Sequence, residues 1–267
     1  MKKILAIYSV AFIAVTLSLP VTAADLGNWE RFAINVGTFV TDNNTEMRLD
    51  ATSGALGTTL DFEDQLGLDE DEDVTRLDGF WRYGKRSRLD FSFFTIDRDA
   101  NRPVTLTINW GDETFTAGTP LRTQWELDIT KLAYTYSFVR NPKLDVGITG
   151  GFHVMDIRAR LTDSTTGDFD EGDETAPLPV IGARVAYRFT PEWVFTASSE
   201  WFGIEADDID GRLLDTRIGI EHNTFKNVGF GGGFNTMDFD LDSDDKGDSG
   251  SFDMTYEGFQ IYAKAYF

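Results

Sequence analysis

From residue 32 onward the chain alternates apolar and polar side chains in runs of about ten, the period-two pattern of strands with one dry and one wet face. Phe32, Ile34, Val36 and Val40 oppose Ala33, Asn35 and Gly37. Leu77, Gly79, Trp81 and Tyr83 oppose Arg76, Asp78, Phe80 and Arg82, and beyond Gly84-Lys85-Arg86, Leu89, Phe91 and Phe93 oppose Arg88, Asp90 and Ser92. Similar runs span 144–154, 181–189, 193–201, 214–221 and 228–235, and the last one carries Phe259, Ile261, Ala263, Ala265 and Phe267. One segment changes phase. Trp125, Leu127 and Ile129 hold the apolar side, and past Lys131 it passes to Leu132, Tyr134, Tyr136 and Phe138. An inserted residue produces such a switch, so a β-bulge is expected near Lys131.

Short turns at 84–86, 140–143, 190–192 and 223–227 alternate with polar excursions at 42–73, 98–121, 161–176 and 238–251 and a brief one at 207–211. Strands joined in this way number about ten. The count falls to eight if one hairpin stands clear of the membrane, and rises to twelve if 45–51 and 58–64 add one. The expected fold class is all-β, a single up-and-down antiparallel barrel. A secreted β-sandwich also alternates, but it needs no aromatic belts, whereas Trp81, Tyr83, Tyr134, Tyr136, Tyr187, Trp193 and Tyr262 gather near strand ends.

Lys2 and Lys3, the apolar stretch Ile4 to Leu19 and the small-residue site Val21-Thr22-Ala23 read as a signal peptide over 1–23, leaving one domain over 24–267. No later stretch is apolar and long enough for a membrane helix, so a membrane is crossed, if at all, by a closed sheet. Cysteine is absent, and closing every strand against a neighbour is one way to hold an exported chain without disulfides.

Acidic residues outnumber basic ones 45 to 24, yet 20 of the acidic ones fall within 61–73, 163–174 and 238–248. The excess is therefore expected on exposed loops. A basic footprint for phosphate is missing, which argues against nucleic acid as a partner.

With an alternating last strand that ends on Phe267, preceded by Phe259 and Ile261, the chain resembles the small bacterial outer-membrane β-barrel proteins, the broad OmpA-like and OmpW-like barrel group. The resemblance implies location in the outer membrane of a Gram-negative bacterium. It also implies recognition of that terminal signal by the barrel assembly machinery, and contact with outer-membrane lipid and lipopolysaccharide. In such barrels short turns face the periplasm and long loops the exterior.

Parity points Arg76, Asp78, Arg82, Arg88, Asp90, Glu126, Asp128, Lys131, Asp145, Arg184, Arg188, Glu200, Asp215, Arg217, Glu221 and Lys264 inward. Both signs interleave, which in a narrow barrel favours an ion-pair plug. A small porin-like channel for polar or cationic solutes is the alternative, and a barrel lipase or protease a third. Of the two histidines, His153 points inward with Asp156 or Glu200 in reach, and His222 sits at a short turn. Outer-membrane phospholipases present a serine and histidine to lipid, and ten-stranded outer-membrane proteases set histidine among aspartates at the outer rim. Neither pattern is met here, so no catalytic residues are expected. Asp240, Asp242 and Asp244 lack the glycine and glutamate of an EF-hand, so loose Ca²⁺ or Mg²⁺ binding is the most they imply, and no resident cofactor is expected. Gly229, Gly231, Gly232 and Gly233 lie in a strand and make no phosphate loop; they leave room for bulky interior side chains.

Overall fold

The computed structural model describes residues 29–206, 209–243 and 249–267; the expected signal peptide lies outside them. In chain order its strands are β1 (Phe32–Leu49), β2 (Leu60–Asp61), β3 (Asp71–Trp81), β4 (Ser87–Pro103), β5 (Ile108–Trp110), β6 (Glu113–Phe115), β7 (Pro120–Arg140), β8 (Leu144–Asp163), β9 (Phe169–Arg188), β10 (Trp193–Ala206), β11 (Ile209–His222), β12 (Val228–Ser243) and β13 (Gly250–Tyr266). All but β2, β5 and β6 pair antiparallel with their neighbours in chain order, and β13 returns to β1, closing a ten-stranded up-and-down barrel. The seam runs unbroken from Ala33 opposite Tyr266 to Leu49 opposite Gly250. Phe267 extends it, its carbonyl accepting from the amides of Arg31 and Phe32 at 2.7 and 3.1 Å.

Most of the polar excursions are strand, not loop. β1 continues to Leu49, β4 to Pro103, β8 to Asp163 and β12 to Ser243, while β7, β9 and β13 begin at Pro120, Phe169 and Gly250. Of the extra hairpin that would bring the strands to twelve only a rudiment forms, Glu46 and Met47 opposite Asp61 and Leu60, and it adds no strand to the barrel wall. β7 has 21 residues, roughly 70 Å of strand at about 3.3 Å per residue, where about ten tilted residues cross a membrane. The wall therefore projects far beyond the bilayer on the side away from the short turns.

No bulge underlies the phase switch. β7 pairs without a slip against β4 over its whole contact, and against β8 through Lys131 opposite His153; the single register shift lies lower, between Ser137 and Val139. Trp125, Leu127, Ile129, Lys131, Ala133, Thr135 and Ser137 all point inward. What changes at Lys131 is the medium outside. Below it, Leu132, Tyr134, Tyr136 and Phe138 are the exposed positions. Above it those positions become Thr130, Asp128, Glu126 and Gln124, and the apolar side chains fill the inside. Neighbouring strands invert at the same level. On β8, Ile148 and Phe152 face out while Met155, Ile157 and Leu161 face in; on β13, Phe259 and Ile261 are each 71% exposed, and Phe252, Met254 and Tyr256 are buried.

The far half thus has a dry core of its own. Segment 50–70 and the β5–β6 hairpin fold down into it, burying Leu60, Phe62, Leu66, Ile108 and Trp110 completely or nearly so, with the Phe62 and Trp110 rings 6.0 Å apart. Glu63 anchors the inserted segment. It accepts from the Thr45 amide at 2.9 Å and pairs with Arg98, whose Nη2 donates to Thr45 Oγ1 at 2.6 Å and whose guanidinium lies 4.6 Å from the Trp125 ring.

Candidate functional site

Beneath the dry core the lumen is charged. Its ceiling is an edge-packed trio, Phe39, Phe94 and Tyr256, with Arg76 stacked 4.6 Å from the Phe94 ring. Arg76 Nη1 donates to Asn235 Oδ1 at 2.7 Å, and Asn235 Nδ2 in turn donates to Asp215 at 2.7 Å. Asp78 accepts from Asn35 at 2.8 Å and from Arg217 at 3.0 Å, and lies 3.3 Å from Arg76. Nearer the short turns, Arg82 meets Asp145 at 2.5 Å, Arg88 pairs with Asp90, and Lys264 donates to Glu221 at 2.6 Å. Of the sixteen charged residues that parity points inward, fourteen lie here: Arg76, Asp78, Arg82, Arg88, Asp90, Lys131, Asp145, Arg184, Arg188, Glu200, Asp215, Arg217, Glu221 and Lys264. Glu126 and Asp128 do not. They sit on the water-exposed outer face, paired with Arg158, because the side that carries apolar residues inverts above Lys131 while side-chain direction stays constant.

His153 is 2% exposed and its Nε2 lies 2.8 Å from Glu200 Oε2. The contact spans β9, and Gly182 permits it: a Cβ there would stand 2.7 Å from Glu200 Cγ. Asp156, the other expected partner, faces out and accepts from Thr175 at 2.5 Å. His153, Glu200 and Asp215 offer donor atoms within 4.8 Å of one another, as a metal site does. The ammonium of Lys131, however, already pairs with the same Glu200 oxygen, taking the place a cation needs. His222 lies at the opposite end beside Trp193, the ring centroids 4.5 Å apart, so neither histidine reaches the outer rim.

Asp240 and Asp242 face outward on β12, and Asp244 lies outside the described residues. Asp240 stands opposite Asp253 and beside Arg212, and Glu46 of β1 is opposite Asp253 on its other side. Partial burial, followed by the hydrogen bond and charge of Asp240, pushes the Asp253 carboxyl up to about 6. Of the expected aromatic belt, Tyr262 turns inward, donating to Glu221 at 3.0 Å with its ring over Gly231, whose missing Cβ makes the space. Trp81, Tyr83, Tyr134, Tyr136, Tyr187 and Trp193 remain outward.

A cavity of about 140 Å³ lies within the charged network. Its floor is the segment ahead of β1. Trp29 is buried, donates from Nε1 to the Asn141 carbonyl at 2.7 Å and stacks 4.3 Å from Arg188, while Glu30 lies 3.6 Å from Arg188 and 3.8 Å from Lys264. No alternation marks Trp29 and Glu30 in the sequence, and nothing there foretold this closure.

No protein-family model and no curated protein matches the sequence. Among solved structures the barrel is similar to the outer membrane protease OmpT from Escherichia coli, with TM-score 0.57 and 12% identity over 88% of this chain and 96% of that one. It also matches Ail, the attachment invasion locus protein of Yersinia pestis, with TM-score 0.40 and 12% identity over 88% and 97% of the two chains. A third match is the toluene transporter TodX of P. putida, with TM-score 0.34 and 9% identity over 88% and 90%. The likeness to OmpT is one of fold: a closed, ten-stranded barrel of the Gram-negative outer-membrane type.

Proposed function

We propose that the chain is a non-conducting outer-membrane barrel that acts without turnover, its projecting acidic half engaging lipopolysaccharide and other surface molecules through bridging divalent cations. The observation that carries this reading is closure at both ends. Trp110 and Phe62 pack into the dry core above, and Trp29 and Glu30 lie across the mouth below. A solute would have to displace packed aromatic rings at one end and break paired charges at the other. The outer face above the lipid band carries Asp42, Glu46, Asp128, Asp238, Asp240 and Asp253. Carboxylates so placed repel anionic lipopolysaccharide unless cations lie between them, which supports Ca²⁺ or Mg²⁺ as loosely held intermediaries. The absence of turnover is supported by His153, enclosed in the lumen on Glu200, where a substrate at the rim cannot meet it.

Planar-bilayer recording of the refolded barrel, with and without millimolar Ca²⁺, tests the reading. Silence in both conditions is expected. Discrete, reproducible current steps would replace it with the pore.

A further inference from the structure

On one wall of the lower lumen the cations outnumber the carboxylates that receive them. Arg82 follows β3, Arg88 is on β4 and Arg184 on β9, and all three line the cavity together with Asp90 and Asp145. Asp90 is taken by Arg88 and accepts from Thr135 Oγ1 at 2.7 Å. Asp145 Oδ2 is taken by Arg82 at 2.5 Å, which leaves Arg184 Nη1 at 3.6 Å from the same oxygen, beyond hydrogen-bond length. Three guanidinium groups therefore share two carboxylates. Arg184 Nη1 and Arg82 Nε are buried and have no acceptor in the protein, and Asp145 Oδ1 is likewise unmet on the other side of the pair. Elsewhere around the cavity each cation already rests on a carboxylate: Lys131 on Glu200, Arg217 on Asp78 and Lys264 on Glu221. The imbalance is local to one wall.

A buried guanidinium with unmet N–H groups is costly, and its planar fork suits halide and oxyanion acceptors. Room is available. A cavity of about 140 Å³ takes roughly five waters, or one small anion with a few waters around it. Thr149, whose hydroxyl lies 3.0 Å from that of Thr135, adds a neutral hydroxyl to the same lining.

We propose that this wall is an anion site: Arg82, Arg88 and Arg184 hold one small inorganic anion, of chloride to phosphate size, in the lumen above the Trp29–Glu30 floor. The anion supplies the third negative charge and accepts the free N–H of Arg184. The site gives the sealed lumen a polarity opposite to that of the acidic exterior.

The test is a crystal of the barrel refolded in sodium bromide, so that the halide need not pass the floor, with bromide located by its anomalous scattering. The expected result is a bromide in the lumen within hydrogen-bond reach of Arg184 and of Arg82 or Arg88, lost in Arg184→Gln while bromides on the outer surface persist. A parallel crystal grown in sodium phosphate separates a halide site from an oxyanion site. Waters alone against Arg184 in both wild-type crystals, or a lumen bromide that survives Arg184→Gln, overturn the proposal. Should Arg184→Gln not fold, Asp145→Asn decides. It preserves shape and removes a competing negative charge, so bromide affinity, read from lumen occupancy in crystals of barrel refolded over a series of bromide concentrations, should rise several-fold. Unchanged or weaker binding in Asp145→Asn overturns the site.

Discussion

Above the level of Lys131 the wall surrounds Trp125, Leu127 and Met155 and shows water Glu126 and Asp128; below it the same strands surround Arg82, Asp145 and Glu200 and face lipid with Leu132 and Phe152. Strand pairing and side-chain parity are continuous across that level. The difference teaches that burial is set by the solvent on each side of a wall and not by the direction a side chain points. The outer half gains stability as a soluble protein does, by taking apolar surface out of water. The membrane half has no such gain to make on its lipid face, and its interior is ordered by charge pairs, which add specificity more surely than stability.

Strand β7 offers the sharpest way to break the comparison, because it crosses both media. Leu127→Asp places an unpaired carboxylate in the dry core and should cost about 4 kcal/mol or more. Ile148→Arg, on the neighbouring β8 and central in its lipid-facing run, should cost roughly 2–4 kcal/mol, as a cation near mid-membrane does. Glu126→Leu, on the wet outer face, should stay within about 0.5–1 kcal/mol despite being the most apolar of the three changes. Urea unfolding from lipid vesicles measures all three. An equal cost for Glu126→Leu and Leu127→Asp would mean that the outer half has no dry interior.

Glu63→Leu asks whether the inserted segment 50–70 is held by charge or by packing alone. Removing Glu63 strands Arg98 beside Trp125 with one acceptor fewer, and breaking a buried pair from one side costs roughly 3 kcal/mol. The expected outcome is release of the segment before the barrel itself unfolds, seen as protease cleavage between Thr52 and Leu60 in vesicles at denaturant concentrations that leave the wild type intact. Cleavage at the same concentration in both proteins would show that Phe62 and Leu66 hold the segment unaided.

The same inversion explains which parts of the architecture were legible in the sequence. The lipid band was, because hydrocarbon on one side and a polar lumen on the other impose a strict period of two on Phe32 to Val40 and on Phe259 to Phe267. The continuation of β1 through Asp42, Asn44 and Glu46 was not, since polar outward residues look like loop when the apolar face is assumed to point outward. That assumption also sent Glu126 and Asp128 to the wrong side and asked for a bulge at Lys131. His153 had two candidate partners in reach, and the choice of Glu200 depends on Gly182 of the strand between them, a contact that sequence spacing does not encode. The lumen charges below Lys131 were legible as a group, whereas their pairing, and the Trp29–Glu30 floor, depend on closure of the barrel.

The smallest expected effect lies on the acidic outer face and separates it from the paired lumen. Asp253 has like charges on both sides, from Asp240 and Glu46, and its carboxyl is raised to about 6 from an ordinary value near 3.8. A raised folded-state value means that protonation favours the folded barrel: this stability is complete below about 4, declines as pH rises through about 6, and is gone by pH 8. Asp253→Asn removes the charge permanently, so it should raise the melting temperature by about 1–3 °C at pH 8 and by nothing measurable at pH 4, a surface-scale effect. Millimolar Ca²⁺ at pH 8 should narrow the difference between variant and wild type, because a cation between Asp240 and Asp253 relieves the same repulsion. A gain independent of pH would assign the effect to packing, and a gap that Ca²⁺ leaves unchanged would count against cation bridging as the way this face meets lipopolysaccharide.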